Sequence, residues 1–342
     1  MTESAYSLDE IDKIRVSTIY NWYGGKFALC KDIMRMTPKH KIHIEAFAGS
    51  AVLTKNKKPS EVEIINDLHP GVANFFRVLK NERKTKNLQK LLMEESSEMN
   101  ISLYWYFNKW KETGTGDEIE DARRYFFLVN QNFMGKPGGS WAGNDTAQHK
   151  RGAKFQKAID SLMDYHDRFK KVIVENMPCI ALMQKYNKPD VFWYLDPPYF
   201  PDTRLTAKEY DFEMLEEDHQ ELLALLAMER EDETGIKGSY LLSGYKGKED
   251  YPVYQTYLSH RPHAEKRHVL CAAIYRKEDP QHAGKDEVRK RKFECFWYNY
   301  DMPAKVVDYL QNREGKDKAY KFYGTDGKLL RPLLPKKPTT KK

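Results

Sequence analysis

The sequence predicts an α/β fold on a parallel sheet, and three stretches carry that expectation. Residues 42–48, IHIEAFA, read as a strand that runs into a turn at Gly49, and AVLTKN then opens a helix. Residues 61–67, EVEIIND, alternate and end in an acid, and PGVANFFRVLKN (70–81) follows with apolar residues at helical spacing. Residues 191–199, VFWYLDPPY, run through five apolar or aromatic positions into Asp196, two prolines and Tyr199. An unbroken apolar strand is the pattern of a strand buried on both faces, as in parallel sheets. Strand, glycine turn, helix, strand, acid, helix is the opening of such a sheet.

Between these stretches the pattern changes. Residues 81–170 are rich in Lys, Glu, Asn and aromatics and read as mainly helical, with a loop GKPGGSWAGN at 135–144. They are expected to form an inserted domain. The sheet resumes at 171–176 and 191–199, an amphipathic helix covers 214–230, and further strands are expected at 238–245, 268–276 and 292–300. There are no internal repeats. The expected division is a catalytic domain from 1–80 and 166–310, an inserted domain at 81–165 and a basic tail at 311–342.

The 342 residues suit one large domain or one domain with an insert. A hydrophobic content of 40% with 13% aromatics argues against disorder. Fifty-seven basic and 50 acidic residues leave a net charge of +7, which permits a polyanionic partner without demanding one. Cys30, Cys179, Cys271 and Cys295 form no Cys-x-x-Cys pair, so a zinc site is not expected. Scattered thiols, a polar start MTESAYSLDE and no apolar run near ~20 residues lead to an expectation of a cytoplasmic, non-membrane protein.

Four sites carry chemistry. EAFAGSAV (45–52) is a small-residue turn at a strand end, either a close backbone approach to a ligand or a plain tight turn. Asp67, ending the next strand, suits a ribose hydroxyl or a helix N-cap. In NWYGGKF (21–27) two glycines allow an unusual backbone and Lys26 can meet a carboxylate. Asp196, Pro197, Pro198 and Tyr199 gather acceptors beside a flat ring, because proline removes N–H donors and stiffens the chain. That combination is a receptor for a planar group bearing an NH2; the bland alternative is a rigid turn with a packed tyrosine.

Together, DPPY, NWYGGK, EAFAGSAV and Asp67, in this order with an insert before DPPY, resemble the Dam-type, D12-class α subgroup of N6-adenine-specific DNA methyltransferases. LLSGY (241–245) and ECFWYN (294–299) are similar to late strands of that group. The resemblance implies a Rossmann-like sheet that binds S-adenosylmethionine, with an inserted, mainly helical target-recognition domain. It implies that Asp196, Pro197, Pro198 and Tyr199 act on a flipped adenine in duplex DNA. Trp22, Tyr23, Gly25, Lys26, Phe47, Gly49, Asp67 and Asp196 would line the cofactor. Arg123, Arg124, Asn130, Asn132 and Lys136 are the candidate DNA contacts in the insert. Two positions depart from the family: Ala51 replaces a second glycine, and His69 stands where Asn is frequent. N4-cytosine methylation and a non-catalytic DNA-binding subunit stay open as alternatives. Further expectations are a monomer or weak dimer, a cognate restriction endonuclease as an optional partner, and a bacterial, archaeal or phage-infected host cell.

Overall fold

The computed structural model describes residues 4–96, 101–109, 114–132, 135, 139, 141, 145–199, 214–227, 235–245, 268–274, 292–312 and 321–323. Among the described residues eight strands form one sheet: β1 (Ile42–Glu45), β2 (Val62–Asn66), β3 (Ile173–Glu175), β4 (Val191–Leu195), β5 (Ser239–Tyr245), β6 (His268–Ile274), β7 (Lys292–Tyr298) and β8 (Lys321–Tyr323). Their order is β3-β2-β1-β4-β5-β7-β6-β8. The first five are parallel, whereas β7 pairs antiparallel with both β5 and β6.

The chain steps outward from β1 through β2 to β3, then returns to place β4 on the other side of β1. The strand order therefore reverses between β1 and β4, whose register pairs Glu45 with Tyr194. A crevice opens at the carboxyl ends of strands at such a switch point, and ligands of open α/β sheets bind there.

Alternation along β4 fills both faces. Phe192 and Tyr194 pack with α2 (Cys30–Met36), α3 (Val52–Asn56) and α12 (Ala304–Gln311). Val191, Trp193 and Leu195 pack with α10 (Cys179–Tyr186) and α11 (Glu216–Ala227) on the other face. Fully burying each such side chain contributes roughly 1.5–3 kcal/mol. β1 ends at Glu45, three residues short of the expected strand, because the chain turns through Gly49 and Ala51, both at φ +48°.

The described residues of 81–165 include the helices α5 (Glu82–Ser96), α6 (Ile101–Lys109), α7 (Glu118–Gln131) and α8 (Asp145–Asp160). They share one apolar core with α4 (Pro70–Leu79) and α9 (Leu162–Phe169). Phe75 of α4 stacks on Phe126 of α7, with centroids 5.2 Å apart and planes 8° apart. α4 starts where Pro70 fixes the first turn and the His69 ring accepts from the Gly71 N–H at 3.0 Å. α7 starts on Asp117, which accepts from the Ile119 and Glu120 amides. α1 (Leu8–Lys13) begins on a capping box between Ser7 and Glu10.

Candidate active site

Three adjacent strand ends, of β1, β2 and β4, bring the sequence motifs together. At the end of β1 the Gly49 peptide is held on both sides. Its N–H donates to Asp67 Oδ2 at 2.8 Å, and its carbonyl accepts from the Tyr20 hydroxyl at 2.8 Å. A Cβ on Gly49 would lie 2.5 Å from the Trp22 indole, so at this φ and this spacing only glycine fits. Trp22 is thus laid directly across the glycine turn. Ala51 adopts φ 48°, ψ 42° at the N-cap of α3. It occupies the left-handed conformation that glycine takes without cost, so the lost second glycine leaves a strained alanine. Phe47 is partly buried against the apolar layer on the α10 side.

Asp67 follows β2. It is not the cap of α4, which is His69; instead its Oδ1 accepts from the His69 N–H at 2.9 Å. Two backbone amides use about half of the acceptor capacity of a carboxylate, and the rest remains for hydroxyl donors. Burial raises the Asp67 pKa, and the two amides oppose that shift.

Asp196 follows β4 and is 15% exposed. The Lys26 ammonium, itself 7% exposed, lies 2.7 Å from Oδ1 and 2.8 Å from Oδ2. It also donates to the Gly24 carbonyl at 3.0 Å and sits 5.0 Å from the Tyr199 ring centroid. The Tyr199 hydroxyl donates to Asp196 Oδ1 at 3.3 Å. Burial raises the Asp196 pKa, whereas Lys26 and then Tyr199 lower it. Pro197 is buried and Pro198 partly so. Lys26 reaches this position from a turn closed by the Gly25 N–H on the Trp22 carbonyl at 2.9 Å, with Gly24 at φ +75°. A glycine with positive φ at the third position of such a turn is the type II pattern. Tyr23 and Gly25 belong to the same turn. Lys26 therefore does meet a carboxylate, and that carboxylate is Asp196.

The residues expected to touch DNA are placed differently. Arg123 and Arg124 both pair with Glu120, at 3.0 and 2.7 Å, and lie over the Phe107 ring. Asn130 bonds back to the Phe126 carbonyl at 2.8 Å within α7. Asn132 is 7% exposed and accepts from the Tyr104 hydroxyl at 2.7 Å, at the end of α7. Lys136, most of loop 135–144 and nearly all of the tail 311–342 lie outside the described residues.

Three residues at the site, Tyr20, Tyr125 and Glu45, were not among the expected site residues. Tyr20 and Tyr125 bond to each other, with Tyr125 donating at 3.3 Å. Glu45, the last residue of β1, accepts from the Thr54 N–H at 2.9 Å and the Thr54 hydroxyl at 2.6 Å, tying α3 to the sheet. Burial pushes the Glu45 pKa up to about 7. An acid one place before an apolar turn was the available clue to Glu45; single tyrosines offered none.

Comparison with known proteins follows the same line. The D12 class N6 adenine-specific DNA methyltransferase family matches residues 22–269. The DNA adenine methylase of Vibrio cholerae is 24% identical over 233 residues, covering 66% of this chain and 79% of that protein. A DNA N-6-adenine-methyltransferase of Escherichia phage P1 is 34% identical over 65 residues, 19% of this chain but only 8% of the phage protein. A type II methyltransferase of Paramecium bursaria Chlorella virus NC1A is 24% identical over 188 residues, 53% of this chain and 68% of its own. No helix among the described residues is long and apolar enough to cross a membrane.

Proposed function

The chain belongs to the D12 class of N6 adenine-specific DNA methyltransferases, a class that uses S-adenosylmethionine, and on that premise we propose how its own residues perform the transfer. The carrying observation is Asp196, held by Lys26 at the switch point of the sheet, beside the Gly49 turn and Asp67.

The Gly49 turn and Asp67 suit a nucleoside-bearing cofactor. The turn presents backbone without a side chain, and Asp67 keeps acceptor capacity for ribose hydroxyls. Trp22, Tyr23, Gly25, Phe47 and Lys26 complete that lining. S-adenosylmethionine, when bound there, supplies an electrophilic methyl group.

The difficulty at the other reactant is that the adenine N6 lone pair is delocalised into the ring. Asp196 and the Pro197 carbonyl each accept one N6–H, which favours a tetrahedral nitrogen and frees the lone pair. Acceptors fixed before reaction stabilise the developing positive charge on N6 without reorganising. Burial raises the Asp196 pKa and Lys26 opposes that rise, and Lys26 must yield one carboxylate oxygen to the amine. S-adenosylmethionine held by the Gly49 turn and Asp67 would supply its methyl to N6 and keep the S–C bonding pair. The surplus N6 proton then leaves, with Asp196 within reach as its acceptor. The Tyr199 ring stacks on the base and its hydroxyl steadies Oδ1. A base in a duplex cannot reach this pocket, so the adenine is flipped out at a cost of a few kcal/mol.

Residues 81–165 read the DNA in this proposal. Arg123 and Arg124 with Glu120 carry one net positive charge, so their contribution is to phosphates and not to base edges. All motif residues come from one chain, which suits a monomer or weak dimer acting on cytoplasmic DNA, with or without a cognate endonuclease.

Purified protein is expected to transfer labelled methyl from S-adenosylmethionine to duplex DNA, with N6-methyladenine as the sole labelled nucleoside after digestion. N4-methylcytosine in its place would overturn the adenine assignment. Cofactor binding without any labelled DNA would favour a non-catalytic subunit.

A further inference from the structure

Gly49 is fixed by two groups of different origin. Asp67 on the sheet holds its N–H at 2.8 Å, and Tyr20 holds its carbonyl at 2.8 Å. Tyr20 is 2% exposed, so its hydroxyl has no water to fall back on. It accepts in turn from the hydroxyl of Tyr125, at 3.3 Å, on α7 of the helical segment. The result is a directed chain in which Tyr125 O–H donates to Tyr20 O–H and Tyr20 O–H donates to the Gly49 carbonyl. Hydrogen bonds in such a chain polarise and strengthen one another. Burial raises the pKa of both phenols, which keeps them protonated as the chain requires.

Tyr125 also touches the second cofactor element. Its ring centroid lies 5.5 Å from that of His69, whose N–H bonds to Asp67. Its Cδ2 lies 2.6 Å from where a Cβ on Gly71 would be. One side chain from the helical segment thus abuts the anchors of both Gly49 and Asp67. A second backbone contact runs in parallel: a Cβ on Gly135 would fall 1.9 Å from the Asn21 carbonyl, next to Trp22.

We infer that Tyr20 and Tyr125 are positioning residues for the cofactor, through which the helical segment sets the conformation of the Gly49 turn and hence the affinity for S-adenosylmethionine. The inference rests on the proposed placement of S-adenosylmethionine at that turn.

The test is calorimetric titration of S-adenosylmethionine into the full chain without DNA, beside steady-state kinetics and thermal melting. Tyr20→Phe leaves a buried carbonyl unpaired and is expected to weaken binding about ten-fold, and Tyr125→Phe about three-fold, from the usual range of such losses. KM for S-adenosylmethionine should rise in parallel while kcat at saturating cofactor holds, which a merely structural role would not produce. Gly49→Ala serves as the control for the site itself. If Gly49→Ala weakens binding strongly while both phenylalanine variants stay within two-fold of the parent, the strut is overturned and the site stands. If Gly49→Ala leaves affinity unchanged, the placement of the cofactor falls, and this inference with it. A drop in kcat with KM unchanged would also overturn it. Should Tyr125→Phe fail to fold, Tyr20→Phe alone decides.

Discussion

Asp67 and Asp196 stand at the ends of two strands that flank β1, and burial raises the pKa of both. They are held in opposite ways. Asp67 is pinned by two backbone amides, those of Gly49 and His69, which belong to elements fixed by the sheet and by α4. Asp196 is held by the Lys26 ammonium and the Tyr199 hydroxyl, two side chains that can turn away. A carboxylate that binds the same partner in every cycle gains from a rigid cradle. One that must exchange its partner for an incoming amine needs a partner that can move. The contrast separates a binding role from a chemical role more sharply than sequence position does.

The contrast breaks most visibly at Asp196. Asp196→Ala is expected to lower methyl transfer by about a thousand-fold or more, the scale seen when a preorganised polar group at a reacting centre is lost. S-adenosylmethionine binding, followed by calorimetry, should stay within about ten-fold. Equal losses in both would erase the distinction. Asp67→Ala should invert the pattern: cofactor affinity falls by about 10–100-fold, the range for hydrogen bonds to a charged group, while kcat at saturating cofactor changes less. Lys26→Met addresses the mobile partner. Asp196 must be ionised to accept, burial raises its pKa and Lys26 lowers it, so removing Lys26 should move the acid limb of the kcat profile to higher pH. An unmoved acid limb would deny Lys26 its electrostatic role. The smallest effect concerns the rigid side. Ala51→Gly relieves a left-handed alanine and should stabilise the fold by about 1 kcal/mol in chemical denaturation, with transfer rate unchanged.

Much of this arrangement was legible in the chain. The apolar run before Asp196, the alternation before Asp67 and the helical spacing of 70–81 located three elements that flank the site. Apolar periodicity reports burial and strand length well. It does not report strand order, so the insertion of β7 between β5 and β6 was unreadable. Nor does it report contacts between distant residues: Lys26 and Asp196 are 170 positions apart, and each was visible only as half of a pair. Arg123 and Arg124 are a different case. Glu120 lies three and four places before them, the spacing at which helical side chains meet, so their pairing was written in the sequence. Asn132 sits at the end of α7, where polar side chains commonly satisfy the chain itself. Ala51 shows that a missing glycine need not signal a changed turn; the turn is kept and the alanine carries the strain.

The contact of Gly135 with the Asn21 carbonyl bears on engineering. On the proposed role of the helical segment as the DNA reader, its exchange between relatives is a route to new sequence specificity. Here the segment shares an apolar core with α4 and meets the Asn21 carbonyl through a position with no room for a Cβ. A graft that placed any other residue at that position would force the Asn21 carbonyl or the graft itself to shift. Chimeras should therefore be cut so that Gly135 and Asn21 travel from the same parent.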